Sequence, residues 1–228
     1  MRTPSALVSL SIVMATTSAS HAVFTGFSRE RVITAAGNTQ YSIYANFDSV
    51  GLPSGKSWVF LNAYNYQGVS GSMNARHQDA AEDADGNPTC SWDPRDNLLG
   101  VTARENDSWV TASGSGSGSA NGGTCLDATE GVCSELPNGS SWWNCVPGLQ
   151  SEVPPGGASG FRIKLIQIVR TGNDNFQGDY VGSMFITYKV QDTATPLTGS
   201  GSFNLVPVPA PGAVALAGLA GLTGRRRR

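Results

Sequence analysis

Histidine is almost missing from this chain of 228 residues; the two present are His21 and His77. Because His21 falls in an N-terminal segment that reads as removable, a Ser-His-Asp arrangement has only His77 to use. No G-x-S-x-G accompanies the many serines. His77 lies in the polar run Asn74–Asp79, "NARHQD", and reads as a solvated side chain, so no catalytic residue is assigned. Charge is also scarce, at 14% of residues, and the body shows no apolar 3.6-residue period sustained for three turns. Together with 28 glycines, that argues against a helical bundle. The glycine-rich run Gly114–Gly123 has no lysine after it and no helix to open, which excludes a phosphate-cradling loop. The carboxylates show no spacing diagnostic of a glycosidase pair, which places a secreted hydrolase third among the functional readings.

What is present begins with the two ends. Residues 1–22 have a positive start at Arg2, an apolar run from Ala6 to Met14, and then small polar residues ending Ser20-His21-Ala22. This is the pattern of a signal peptide with cleavage before Val23, and its apolar core is too short for a permanent span. Without residues 1–22 and the tail from Val206, about 180 residues remain, enough for one domain with its own core. Of the 15 basic residues, ten stay in that body against all 17 acidic ones, a net charge of −7. Such a body is repelled by nucleic acid and by anionic membrane surfaces, so no nucleic-acid partner is expected.

The four cysteines, Cys90, Cys125, Cys133 and Cys145, are even in number and lack any C-x-x-C, which in an exported chain reads as two disulfides. Three pairings exist. Cys125–Cys133 with Cys90–Cys145 is preferred, since it staples a small loop inside a larger one.

Strand signals dominate the body. They fall at Arg29–Ala36, Gln40–Phe47, Ser57–Tyr66, Phe161–Val169, Tyr180–Val190 and Gly201–Val206, with a further short strand within Asp107–Thr111. In the second, Tyr41, Ile43, Ala45 and Phe47 alternate with Ser42, Tyr44 and Asn46. In the fourth, Phe161, Ile163, Leu165, Gln167 and Val169 are expected to face one way, opposite Arg162, Lys164, Ile166 and Ile168. Between the two strand sets runs an irregular Cys/Trp/Gly-rich insertion, about 69–160, with a linker-like stretch at Ser113–Gly123. The fold class expected for 23–205 is all-β, an antiparallel β-sandwich or jelly-roll-like domain with that long disulfide-containing insertion.

Two features of the insertion suggest ligands. Asp83, Asp85 and Asn87 alternate around Gly86 like part of a calcium loop, yet the EF-hand register puts Ala81 and Trp92 at ligand positions. A looser calcium site is the one cofactor considered, and a solvated acidic turn is favoured over it. "GSSWWNC", Gly139–Cys145, groups Trp142, Trp143 and Asn144, the residue types that stack on a sugar ring and hold its hydroxyls. Core packing beside the disulfides is the competing role for these tryptophans, with Trp142 or Trp143 the better candidate for exposure.

The tail, 206–228, combines Pro209 and Pro211, thirteen small and apolar residues from Gly212 to Gly224, and Arg225, Arg226, Arg227 and Arg228. As a helix the thirteen residues reach roughly 20 Å, against a hydrocarbon core about 30 Å thick. The segment enters a membrane transiently, and the positive-inside rule keeps the arginines cytoplasmic while the body is exported. This order of elements, Val208 to Arg228, resembles the PEP-CTERM sorting signal, with Val-Pro-Ala-Pro where the family has Val-Pro-Glu-Pro. The resemblance implies recognition at Pro209, Ala210 and Pro211 by exosortase, a membrane-embedded cysteine transpeptidase-like enzyme of bacteria. It further implies a cell-surface or biofilm-matrix destination. The expected function is thus a secreted, envelope-sorted surface or extracellular-matrix protein without catalytic activity. Signal peptidase and the exosortase are its processing partners. The alternative is a carbohydrate-binding module contacting exopolysaccharide through the Trp-rich insertion.

Overall fold

The computed structural model describes residues 24–48, 52–77, 92, 105–112, 124–127, 134–144, 151–153, 161–172 and 178–206. Alternating apolar and polar side chains produce ten antiparallel strands: β1 (Phe24–Ile33), β2 (Thr39–Phe47), β3 (Trp58–Ser70), β4 (Trp109–Val110), β5 (Thr124–Asp127), β6 (Ser141–Asn144), β7 (Ser151–Glu152), β8 (Phe161–Arg170), β9 (Tyr180–Val190) and β10 (Leu197–Leu205). Sheet A has the order β1-β2-β8-β4; sheet B has β10-β9-β3-β6-β5, with β7 also paired to β3. The protein is all-β. Among the described residues no helix is long and apolar enough to cross a membrane.

The core lies between the sheets because each contributes one apolar face. Tyr41, Ile43, Ala45 and Phe47 of β2 are all fully buried, as the alternation requires. Across the gap Phe47 stacks on Trp58 of β3 at 6.0 Å and meets the Tyr188 ring of β9 edge-on at 4.9 Å. The sheets close along β1 and β10. Gly199 and Gly201 face inward there, and a Cβ on Gly199 would lie 2.5 Å from the Phe24 ring. Arg29 Nη1 clasps the same seam by donating to Asn204 O at 2.6 Å and Oδ1 at 2.7 Å.

Several expectations are corrected. In β8 a bulge at Leu165 lets Ile43 pair with Ile166 while Tyr44 pairs with Lys164. The extra residue flips the alternation. Ile166 and Ile168 therefore join Ile43 and Tyr41 in the core, and Gln167 and Val169 turn to the outer face. There they are buried anyway, because Gln167 Nε2 donates to Asp107 O at 2.8 Å and Arg76 N to Val169 O at 2.7 Å. The insertion is less irregular than expected: β3 continues to Ser70, and β4 to β7 all arise within 69–160. β10 starts at Leu197, four residues before the expected Gly201. The segments 1–22 and 207–228, with Pro209, Ala210, Pro211 and Arg225 to Arg228, lie outside the described residues. So do Cys90, Cys133, Cys145, Asp83, Asp85 and Asn87, and of Cys125 only the backbone is described.

Candidate functional site

Sheet B turns an open face to solvent. Its makeup follows from register, since residues opposite each other in an antiparallel pair share a side. Ala63 of β3 pairs with Ile186 and with Trp142, and all three are fully buried. Their chain neighbours Asn62, Tyr64, Phe185, Thr187 and Trp143 therefore point outward. Tyr64 and Phe185 stack at 5.4 Å between centroids with 29° between planes. Phe185 is 40% and Trp143 38% exposed. Asn62, in register with both Trp143 and Thr187, has a buried Oδ1 with no hydrogen-bond partner among the described residues. β10 extends the face with exposed Thr198, Ser200 and Ser202. These residues carry hydroxyl, amide and ring groups; Lys189 and Glu152, both in register with Val59, bring one charge of each sign to the end of the same face.

The sequence-derived trio Trp142, Trp143 and Asn144 separates on this framework, because successive side chains of a strand point to opposite faces. Trp142 is not available to a ligand: it is fully buried, and its Nε1 donates to Thr111 O at 3.1 Å. Asn144 lies on the same side as Trp142, where its Nδ2 donates to Ser151 Oγ at 2.9 Å, binding β6 to β7. Only Trp143 faces out. Sequence reasoning missed Tyr64 and Phe185, although Met184 and Ile186 flanking Phe185 signal its outward turn. For Tyr64 the bulge at Leu61 hides the same signal.

His77 is not solvated, contrary to the sequence reading. Its side chain is 4% exposed, with Nδ1 3.4 Å from Asp107 Oδ1 and its ring edge-on to Trp92 at 4.8 Å. The nearby Ser108 hydroxyl is held by backbone, donating to Arg76 O at 2.7 Å and accepting from Val169 N at 2.9 Å. The arrangement joins the 105–112 segment to β8; it pairs a histidine with a carboxylate, and among the described residues no hydroxyl bonds either imidazole nitrogen.

On the opposite side of the molecule, the outer face of sheet A is occupied by its own side chains. Lys164 Nζ sits 4.5 Å over the Trp109 ring and donates to Gln167 Oε1 at 2.7 Å. Burial lowers its pKa to about 8, the nearby Glu30 carboxylate only partly opposing this. Arg162 bonds Glu30 Oε1 at 2.6 Å and stacks over Tyr44 at 4.4 Å, while Tyr44 donates to Glu30 Oε2. Burial, then Glu30, raises the Tyr44 phenol.

No protein-family model, curated protein or solved structure matches the chain.

Proposed function

We propose that this is an exported bacterial surface or matrix protein that holds a neutral polysaccharide along the outer face of sheet B and performs no catalytic step. The observation that carries the binding half is the Tyr64–Phe185 stack, with Phe185 and the nearby Trp143 exposed, set among the amide and hydroxyl side chains of Asn62, Thr187, Thr198 and Ser200. Flat aromatic faces cover the apolar C–H face of a sugar ring, and short polar side chains exchange hydrogen bonds with its hydroxyls. A body with a net charge of −7 suits an uncharged polymer better than an acidic one.

Export and sorting rest on the signal-like residues 1–22 and the PEP-CTERM-like tail, with Cys90, Cys125, Cys133 and Cys145 forming two disulfides in the oxidising exterior. One pair of measurements tests the whole reading. The intact mass of protein recovered outside the cell should lack residues 1–22 and the terminal arginines; retention of either end defeats the sorting half. Affinity electrophoresis in neutral glucans, xylans and mannans should show retardation, reduced about tenfold in Phe185→Ala and in Trp143→Ala, the loss of a stacking contact worth about 1.4 kcal/mol. Unchanged retardation in both variants defeats the binding half.

A further inference from the structure

A cleft of about 540 Å³ opens at the far end of the same strand that carries Tyr64, between Gly68–Gly71 and the turn Glu135–Asn138, with Tyr180 also lining it. Its volume lies within the range of small-ligand sites, about 300–1,000 Å³. We infer that this cleft seats the terminal sugar residue of a neutral glycan, an inference that rests on the polysaccharide reading of the sheet B face.

The walls are fixed before any ligand arrives. Arg170, fully buried, donates from Nε to Met73 O and from Nη2 to Ser72 O, each at 2.8 Å, anchoring the chain beyond Gly71 to sheet A. From the other side Glu135 Oε1 accepts from Met73 N at 2.8 Å and from the Ser72 hydroxyl. Gly71 has φ 75 and would place a Cβ 1.9 Å from Asp179 O, so only glycine closes this corner. The turn is tied to β3 by Gly139 N to Tyr66 O at 2.7 Å and by Gly68 N to Asn138 Oδ1 at 2.7 Å. The Tyr66 and Tyr180 hydroxyls bond each other behind it.

What remains for a ligand is specific. Among the described residues Asn138 Nδ2, the second Glu135 oxygen and the Ser70 hydroxyl are not taken up by a hydrogen bond, and Val69, 61% exposed, supplies an apolar edge. Among the described residues no cationic side chain lines the cleft, and Glu135 repels an anion. The same carboxylate is already bound by backbone and hydroxyl donors and stands alone, which is poor ligation for a metal ion that takes six or more oxygens. A neutral group rich in hydroxyls fits both limits. Ser70 lies six residues beyond Tyr64, at most about 20 Å along the strand, so one chain can stack on the aromatic face and end in the cleft.

The test titrates the full-length protein with neutral trisaccharides and hexasaccharides of glucose, xylose and mannose by calorimetry. Asn138→Asp keeps the acceptor for Gly68 N and removes the amide donors; Ser70→Trp fills the cleft from an exposed position. Both should retain the parent unfolding midpoint and weaken trisaccharide binding by about tenfold or more. Trp143→Ala should spare the trisaccharide and weaken the hexasaccharide. Trisaccharide binding unchanged in both cleft variants overturns the cleft while leaving the aromatic face intact if Trp143→Ala still weakens the hexasaccharide. Absence of binding by every neutral oligosaccharide overturns both.

Discussion

The outer faces of the two sheets are built by the same two-residue alternation and end in opposite states. On sheet A the outward residues find partners within the protein: Lys164 lies against Trp109 and Gln167, and Arg162 against Glu30 and Tyr44. The 105–112 segment then covers Gln167 and Val169. On sheet B the outward aromatics Phe185 and Trp143 reach solvent, while among the described residues each face keeps one buried polar atom without a hydrogen-bond partner, Asn62 Oδ1 on sheet B and Trp109 Nε1 on sheet A. A face whose rings are already covered by the protein's own side chains gains little from a ligand, whereas exposed rings gain from one. The proposed binding is therefore placed on sheet B because its rings are the ones left open to solvent.

The largest test uses two adjacent residues of β6. Trp142 packs in the core and Trp143 faces out, so the same substitution should have different consequences at each. Trp142→Ala should cost about 3–5 kcal/mol of stability, as for other buried aromatic truncations. It also removes the hydrogen bond from Trp142 Nε1 to Thr111 O. Trp143→Ala should change stability by less than about 1 kcal/mol while weakening polysaccharide binding. Urea unfolding of the two variants, read beside their retardation in polysaccharide gels, measures both. Equal losses of stability would erase the distinction between the faces.

That contrast also shows what the sequence made legible. Strand positions followed from alternation and turn residues, and Tyr180–Val190 was bounded to the residue. The inward set of β2 was equally plain, because no irregularity interrupts the pattern from Tyr41 to Phe47 on that strand. Alternation failed where a strand carries an extra residue. The bulge at Leu165 sent Gln167 and Val169 outward, and those at Leu61 and at Asn65, which has φ 50, obscured which of Asn62, Tyr64 and Tyr66 face solvent. Periodicity also could not tell Trp142 from Trp143, since it fixes which residues oppose each other and not which side is wet. His77 was misread for another reason: it lies in a polar run, but its burial depends on Asp107, thirty residues away, and on Trp92. The cleft needed tertiary contacts, as its walls join residues 68–71 to 135–138.

A smaller effect sharpens the account of sheet A. Burial holds Lys164 at about 8 against an ordinary 10.5, so between these values the unfolded chain binds a proton that the folded chain releases. This group's contribution to stability should therefore rise as pH climbs from about 8 to 10.5 and be lost as pH falls through 8. Tyr180, pushed up to about 12 chiefly by burial, acts in the reverse sense above pH 10. Lys164→Met keeps the packed stem and removes the titrating charge, while Gln40 Nε2 still bonds Gln167 Oε1 at 2.8 Å. The variant should gain about 1 kcal/mol at pH 7 and lose the upward slope between pH 8 and 10 in urea unfolding. A slope that persists would assign the titration to another group.

The smallest effect tests the comparison most directly. The Arg162–Glu30 pair is half-exposed on both sides, 36% and 46%, so solvent screens it. Arg162→Ala should cost less than about 1 kcal/mol, and a double-mutant cycle with Glu30→Ala should show coupling of about 0.5 kcal/mol or less. Its effect on polysaccharide retardation should be nil, because Arg162 is already stacked on Tyr44 and bonded to Glu30. If Arg162→Ala instead reduces retardation as much as Trp143→Ala does, the sheet A face is the one that binds. The rule that solvent-exposed rings mark the ligand surface would then be wrong for this protein.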